Sequence, residues 1–188
     1  MRQHILPAIR LTIMCMIFFM GIYSLIIWLP SQLAPAHGKG ETIAVHDKIV
    51  GWKLEGQKFT DDKYFWGRPS AVDYNAASAG GSNKGPTNPD YLKSVQDRID
   101  SFLVHNPGVQ KSDIPSDLVT ASGSGLDPDI SVQAAMVQVK RVATVRKISE
   151  VQVRNLVEEH TDKPLFGMFG TSKVNVLKLN IDLDKQGR

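Results

Sequence analysis

Cysteine is almost missing from this chain: Cys15 is the only one in 188 residues, and it lies in an apolar run. No intrachain disulfide can form, and no Cys/His cluster has zinc spacing. An excess of one charge is missing as well. The 22 Lys and Arg stand against 19 Asp and Glu, a formal net charge of +3. Setting aside Arg2 and Arg10 leaves 20 bases against 19 acids, so the remainder is almost neutral. No basic stripe appears, which excludes the usual nucleic-acid binder. There is no internal repeat and no long low-complexity segment.

The common catalytic and nucleotide-binding signatures are absent too. "ASGSGLDPDIS" at 121–131 has the glycines of a phosphate loop but no Lys-Ser or Lys-Thr. Asp127 and Asp129 stand where phosphate would sit, and no third glycine completes a dinucleotide fingerprint after Gly123 and Gly125. The stretch is expected to be a capped helix start. In "GGSNKGPTN" at 80–88, Lys84 precedes Gly85 rather than Ser or Thr. "ISEVQ" at 148–152 faintly resembles the Leu-Ser-Gly-Gly-Gln signature of ABC transporters, yet Glu150 and Val151 replace its glycines. No Gly-x-Ser-x-Gly elbow occurs. His46, His105 and His160 are scattered, with no i, i+4 pair. Catalytic and metal residues are therefore expected to be none. Should a nucleotide bind, Gly123, Gly125, Ser149 and Gln152 are the candidates.

What the sequence does have is one long hydrophobic run. Residues 11–29, "LTIMCMIFFMGIYSLIIWL", carry no charge. At about 1.5 Å per residue they reach roughly 28 Å, close to a bilayer core of about 30 Å. Trp28 and Tyr23 stand toward one end, where amphipathic rings favour the interface. "APA" at 34–36 imitates a signal-peptidase site, but the run exceeds the usual signal core of about 7–15 residues. An uncleaved anchor in the lipid bilayer is expected. Arg2 and Arg10 precede the run, whereas Lys39 and Glu41 cancel after it. The positive-inside rule then puts 1–10 in the cytoplasm, 11–29 across the membrane, 30–41 in a connector and 42–188 outside.

The outer part reads as one mixed α+β domain, with strands early and late and helices between. "TIAVHDKIVGWKL" and "KYFWG" look like short strands, and 67–90 like a long irregular stretch. Asn88 and Pro89 start a helix carrying Leu92, Val95, Ile99, Phe102 and Leu103, which "HNPG" ends. A second helix is expected from 129–131 through "VQAAMVQVKRVATVRK", and Ser149 and Gln152 form a capping box for a third. Leu177, Leu179, Ile181 and Leu183 alternate with polar residues, which predicts a final strand. Arg141 and Arg146 could clamp a partner carboxylate. From residues alone, three readings stay open: an accessory subunit, an anchored extracytoplasmic hydrolase, and a ligand-binding domain released by cleavage.

"YFWGRPS", "GGSNKGPTNP", "DLVTASGSGLDPDIS", "QVKRVATVR" and "VNVLKLNIDL" occur in that order. Together they resemble the C subunit of the bacterial Kdp potassium-transporting P-type ATPase, across essentially the whole chain. Val132 and Lys140 depart from the resemblance, since relatives often have proline at both. The chain lacks the Asp-Lys-Thr-Gly-Thr motif at which P-type ATPases are phosphorylated. The resemblance implies a non-catalytic subunit in the bacterial inner membrane. Its implied partners are a channel-like potassium-binding subunit, a P-type ATPase subunit and a small membrane subunit. It also implies a chaperone-like role that raises the ATPase subunit's affinity for ATP. Under this reading the motif loops are interface, with Trp66, Arg68, Asn83, Asn88, Ser124, Asp127 and Arg141 as partner-contact candidates.

Overall fold

The computed structural model describes residues 2–186, which divide between Glu41 and Thr42 into two compact units. The first unit is one long helix: α1 (Arg2–Met16), a π-helical stretch (Ile17–Tyr23) and α2 (Ser24–Ser31). Ser24 Oγ donates to the Phe19 carbonyl across the widened turn, 3.2 Å away. Residues Gln3–Ser31 are long and apolar enough to cross a membrane, and none of the most apolar window is buried within the chain. The expected span 11–29 lies inside this helix.

The second unit begins with the hairpin β1 (Thr42–Val45) and β2 (Lys48–Trp52), paired antiparallel. Its two turn residues, His46 and Asp47, both have positive φ, the conformation a two-residue hairpin loop requires. Residues 53–88 then run without strands. "KYFWG" is therefore not a strand, although Phe65 at its centre is fully buried. α3 (Pro89–His105) starts as expected, with Asn88 Oδ1 accepting from Tyr91 N at 3.1 Å. Phe102 is buried and Val95 and Ile99 are partly so, but Leu92 faces outward.

Two sequence expectations fail here. The segment from 129 is not one helix: β3 (Asp129–Ser131) comes first, then α4 (Val132–Met136) and α5 (Val139–Arg146). Ser131 Oγ caps α4 by accepting from Ala134 N at 3.0 Å. Val132 and Lys140 then fall in the first turns of α4 and α5, where a missing N–H is harmless, so proline suits both sites. The expected final strand also fails from Val176 onward. β5 (Lys173–Asn175) gives way to α7 (Val176–Gln186). Asn175 Oδ1 accepts from Lys178 N at 3.1 Å and caps that helix. Val176, Leu179, Asn180 and Leu183 are all buried, at i, i+3, i+4 and i+7. The alternation misleads because a wide helical face also buries Leu177.

Between them, α6 (Glu150–Glu159) starts at the expected capping box and leads to β4 (Thr161–Asp162). The small antiparallel sheet has the order β3-β5-β4. Val139, Val142, Val153, Leu156, Val157, Leu179 and Leu183 from α5, α6 and α7 make the core, together with Phe65.

Phe65 lies in this core and the half-buried Trp66 packs against it, both without strand partners, and two side-chain amides take that role. Asn180 Oδ1 accepts from Phe65 N at 2.8 Å, and Asn180 Nδ2 donates to Phe65 O at 3.0 Å. Gln138 does the same for Trp66, at 2.8 Å and 3.2 Å. Buried peptide groups need such partners, and losing one costs about 1–3 kcal/mol per orphaned group. Asn180→Leu should therefore lower unfolding free energy by about 2–4 kcal/mol in denaturant titration of the detergent-solubilised chain. The exposed Gln96→Ala should change it by less than about 0.5 kcal/mol.

Candidate functional site

Three groups of side chains carry the chemistry of the second unit. The first is interior. Gln138 also accepts from Arg141 Nη2 at 2.6 Å, while Arg141 Nε donates to Asn106 Oδ1 at 3.0 Å and Nη1 to the Asp62 carbonyl at 2.9 Å. The guanidinium stacks 4.3 Å from the centre of the Trp66 ring. Burial pulls Arg141 down to about 10, with Asp62 pulling the other way. His105 Nδ1 lies 2.8 Å from Asp62 Oδ1 and edge-on to Trp66. Arg141 is thus a core residue with its donors committed, and not an outward clamp. Arg146 acts nearer the surface, donating to Asp184 Oδ1 at 2.6 Å and to the Lys63 carbonyl at 2.6 Å.

The second group is the glycine-rich segment and the loop packed on it. Gly80 N donates to Ser124 O at 2.8 Å, Ser122 N to Pro69 O at 3.1 Å, and Gly56 N to Leu126 O at 2.7 Å. Gly125 is buried with φ +71°, and a Cβ there would stand 2.5 Å from Val72 Cγ2 and 2.9 Å from Gly80 O. A Cβ on Gly81 would stand 3.1 Å from Gly123 O. Glycine at 125 therefore serves close chain-to-chain packing. Ser70 Oγ accepts from Tyr74 N at 2.9 Å, and the Tyr74 hydroxyl donates to the Arg68 carbonyl. Asn83, exposed and at φ 52°, lies at the outer part of this loop.

The third group lines a cleft of about 510 Å³ that includes Arg68, Asp117, Asp127, Asp129, Ser131 and Lys173. Asp127 is not at a helix start. Its Oδ2 accepts from Arg68 Nη1 at 2.9 Å and its Oδ1 from Asp129 N at 3.1 Å. Asp129 pairs with Lys173, and Asp117 accepts from Ser131 N at 2.7 Å. Among the described residues, Arg68 Nε is buried without an acceptor. A larger cavity of about 550 Å³ lies between the hairpin and α7 and includes Ile43, Val45, His160, Ile181 and Asp182. There His160 Nε2 sits 2.8 Å from Asp182. The bond from Lys185 holds the Asp182 carboxyl below its ordinary range.

These positions sort the sequence candidates. Arg68 and Asp127 come together, Ser124 and Gly125 join them through the loop contacts, and the buried Arg141 stacks on the half-buried Trp66. Asn88 is spent on capping α3. Ser149 and Gln152 bond one another: Gln152 N donates to Ser149 Oγ at 3.2 Å, and Ser149 N to Gln152 Oε1 at 3.1 Å. Among the described residues, no group of three or more His, Cys, Asp or Glu could hold a metal ion. Sequence reading missed Gln138 and Asn180, whose only signal was an amide between apolar neighbours, and saw Asn106 only as part of a helix end.

A family model described as "KdpC: K+-transporting ATPase, c chain" matches residues 5–185. The chain belongs to the KdpC family. A potassium-transporting ATPase KdpC subunit of Flavobacterium psychrophilum is 56% identical over 183 residues, covering 97% of this chain and 98% of that protein. One of Bacteroides fragilis is 51% identical over 186 residues, covering 97% of each. One of Caldanaerobacter subterraneus subsp. tengcongensis is 46% identical over 184 residues, covering 97% of this chain and 95% of that protein. This KdpC-family domain thus folds most of its motif residues onto one another.

Tyr74 shows how tightly. Burial raises its hydroxyl above the ordinary value of 10.0, with Asp73 adding to the effect. An acid raised in the fold contributes stability below the unfolded value, and that contribution is lost as pH rises from about 10 through the folded value. Burial raises Tyr64 in the same direction. Denaturant midpoints should therefore fall above about pH 10. Tyr74→Phe should cost about 1 kcal/mol at neutral pH and make the alkaline fall shallower.

Proposed function

We propose that the chain is a non-catalytic, membrane-anchored subunit of a potassium-transporting ATPase, with its 42–188 domain on the outer side. The observation that carries this reading is the apolar helix Gln3–Ser31 on a KdpC-family chain. Arg2 and Arg10 lie at the helix's N-terminal side, and the residues after it start with the cancelling pair Lys39 and Glu41. That asymmetry favours a cytoplasmic N-terminus in the inner membrane. The relatives are named potassium-transporting ATPase KdpC subunits, so the partners proposed here are the channel-like, ATPase and small membrane subunits.

The proposed task is assembly: the domain docks on the outer face of the channel-like subunit and holds the complex together. The polar side chains support this over a nucleotide site. Gly125 packs against Gly80 and Val72, and Ser149 and Gln152 use their polar atoms on each other. Asp127 adds negative charge where a phosphate would need donors. An outer domain also meets no cytoplasmic ATP. Any rise in the ATPase subunit's affinity for ATP would then travel through the assembled complex.

Topology decides between these routes. Protease added to spheroplasts of cells carrying the whole complex should digest residues 42–188 and leave an N-terminal tag intact. Full protection of the domain would overturn the outer placement and restore direct ATP contact.

A further inference from the structure

Residues 163–172, between β4 and β5, form an apolar finger that the domain itself does not use. Leu165 and Phe169 exchange both backbone hydrogen bonds, each 3.0 Å, and close a three-residue loop. Phe166 and Gly167 at its tip have φ of 53° and 72°. Phenylalanine adopts that left-handed conformation only at a cost in energy. Yet Phe166 is 81% exposed and Met168 76%, with Leu165 and Phe169 nearly as open. Among the described residues, no packing offsets either the strain or the exposure. A cluster of large apolar side chains on a tight, bonded loop is the form of a binding anchor.

The finger is continuous with the polar cleft. Its returning strand passes through Thr171, Ser172 and Lys173, which line that cleft beside Arg68, Asp127 and Asp129. We propose that the Leu165–Phe169 finger and the adjoining cleft form one docking surface for a polypeptide segment of a membrane-embedded partner subunit. This rests on the subunit reading above and names the element that makes the contact.

Charge and chemistry favour protein over lipid. A loop that inserts into an anionic bilayer surface carries a collar of Lys and Arg. Here Asp162 cancels Lys163 along the chain, and Lys173 is bound to Asp129. The cleft offers hydroxyls, carboxylates and a guanidinium, which suit peptide groups and not acyl chains. Ten residues, 32–41, link the apolar helix to the domain and reach at most about 35 Å. That tether raises the domain's effective concentration for membrane-embedded neighbours.

A photo-crosslinking phenylalanine analogue placed at Phe166 in the full membrane complex tests this. Illumination should give an adduct whose mass and peptides identify a membrane subunit of the same ATPase. Phe166→Asp combined with Phe169→Asp should cut the amount of this chain retained on the purified complex at least tenfold. The thermal midpoint of the isolated full-length chain should not move. Adducts only with lipid, adducts only with a second copy of this chain, or unchanged retention would each overturn the proposal. If the untouched chain itself fails to purify with the other subunits, the subunit reading fails first.

Discussion

Two side-chain amides hold this domain together. Asn180 on α7 and Gln138 ahead of α5 each grip one residue of the Phe65–Trp66 pair through both its N–H and its C=O. A segment that crosses a core usually gains its bonds from strand neighbours, but the three-stranded sheet here is too short to supply them. The amides supply them instead, and they tie the early irregular half of the domain to its late helical half. Arg141 extends the arrangement by resting on Gln138, Asn106 and Trp66 at once. A buried arginine is tolerable only with its donors satisfied, so each member depends on the others.

That dependence explains which parts were legible in the sequence. Local signals were reliable where local chemistry decides: Asn88 and Pro89 begin α3, and Ser149 with Gln152 begins α6. The apolar helix was plain from its composition. The readings failed where tertiary contacts decide. Leu177 to Leu183 alternate like a strand, yet Asn180 must face Phe65, and a helix capped by Asn175 puts it there. The 129–147 segment splits because Ser131 starts one helix while Gln138, between the two, turns its amide to Trp66. Neither amide has a sequence pattern of its own, because its partner lies about 70 or 115 residues away.

The same logic sorts the candidate site. Glycine-rich motifs invite a ligand reading, but Gly125 is glycine because Val72 and Gly80 crowd it. Arg141, which looks like a contact residue in the sequence, is buried with its guanidinium against the half-buried Trp66. Outward chemistry is left to other places, the apolar finger and the charged cleft beside it. On the proposed docking reading, the motif residues shape the platform and the exposed finger is what would meet the partner.

The central claim is that Phe65 and Trp66 are locked by these amides and are released only when the whole domain unfolds. Amide hydrogen exchange of the full-length chain measures this directly. The Phe65 and Trp66 amides should belong to the slowest class and follow global unfolding as denaturant is added. Exchange at the rate of the exposed 82–87 loop, independent of denaturant, would contradict the account.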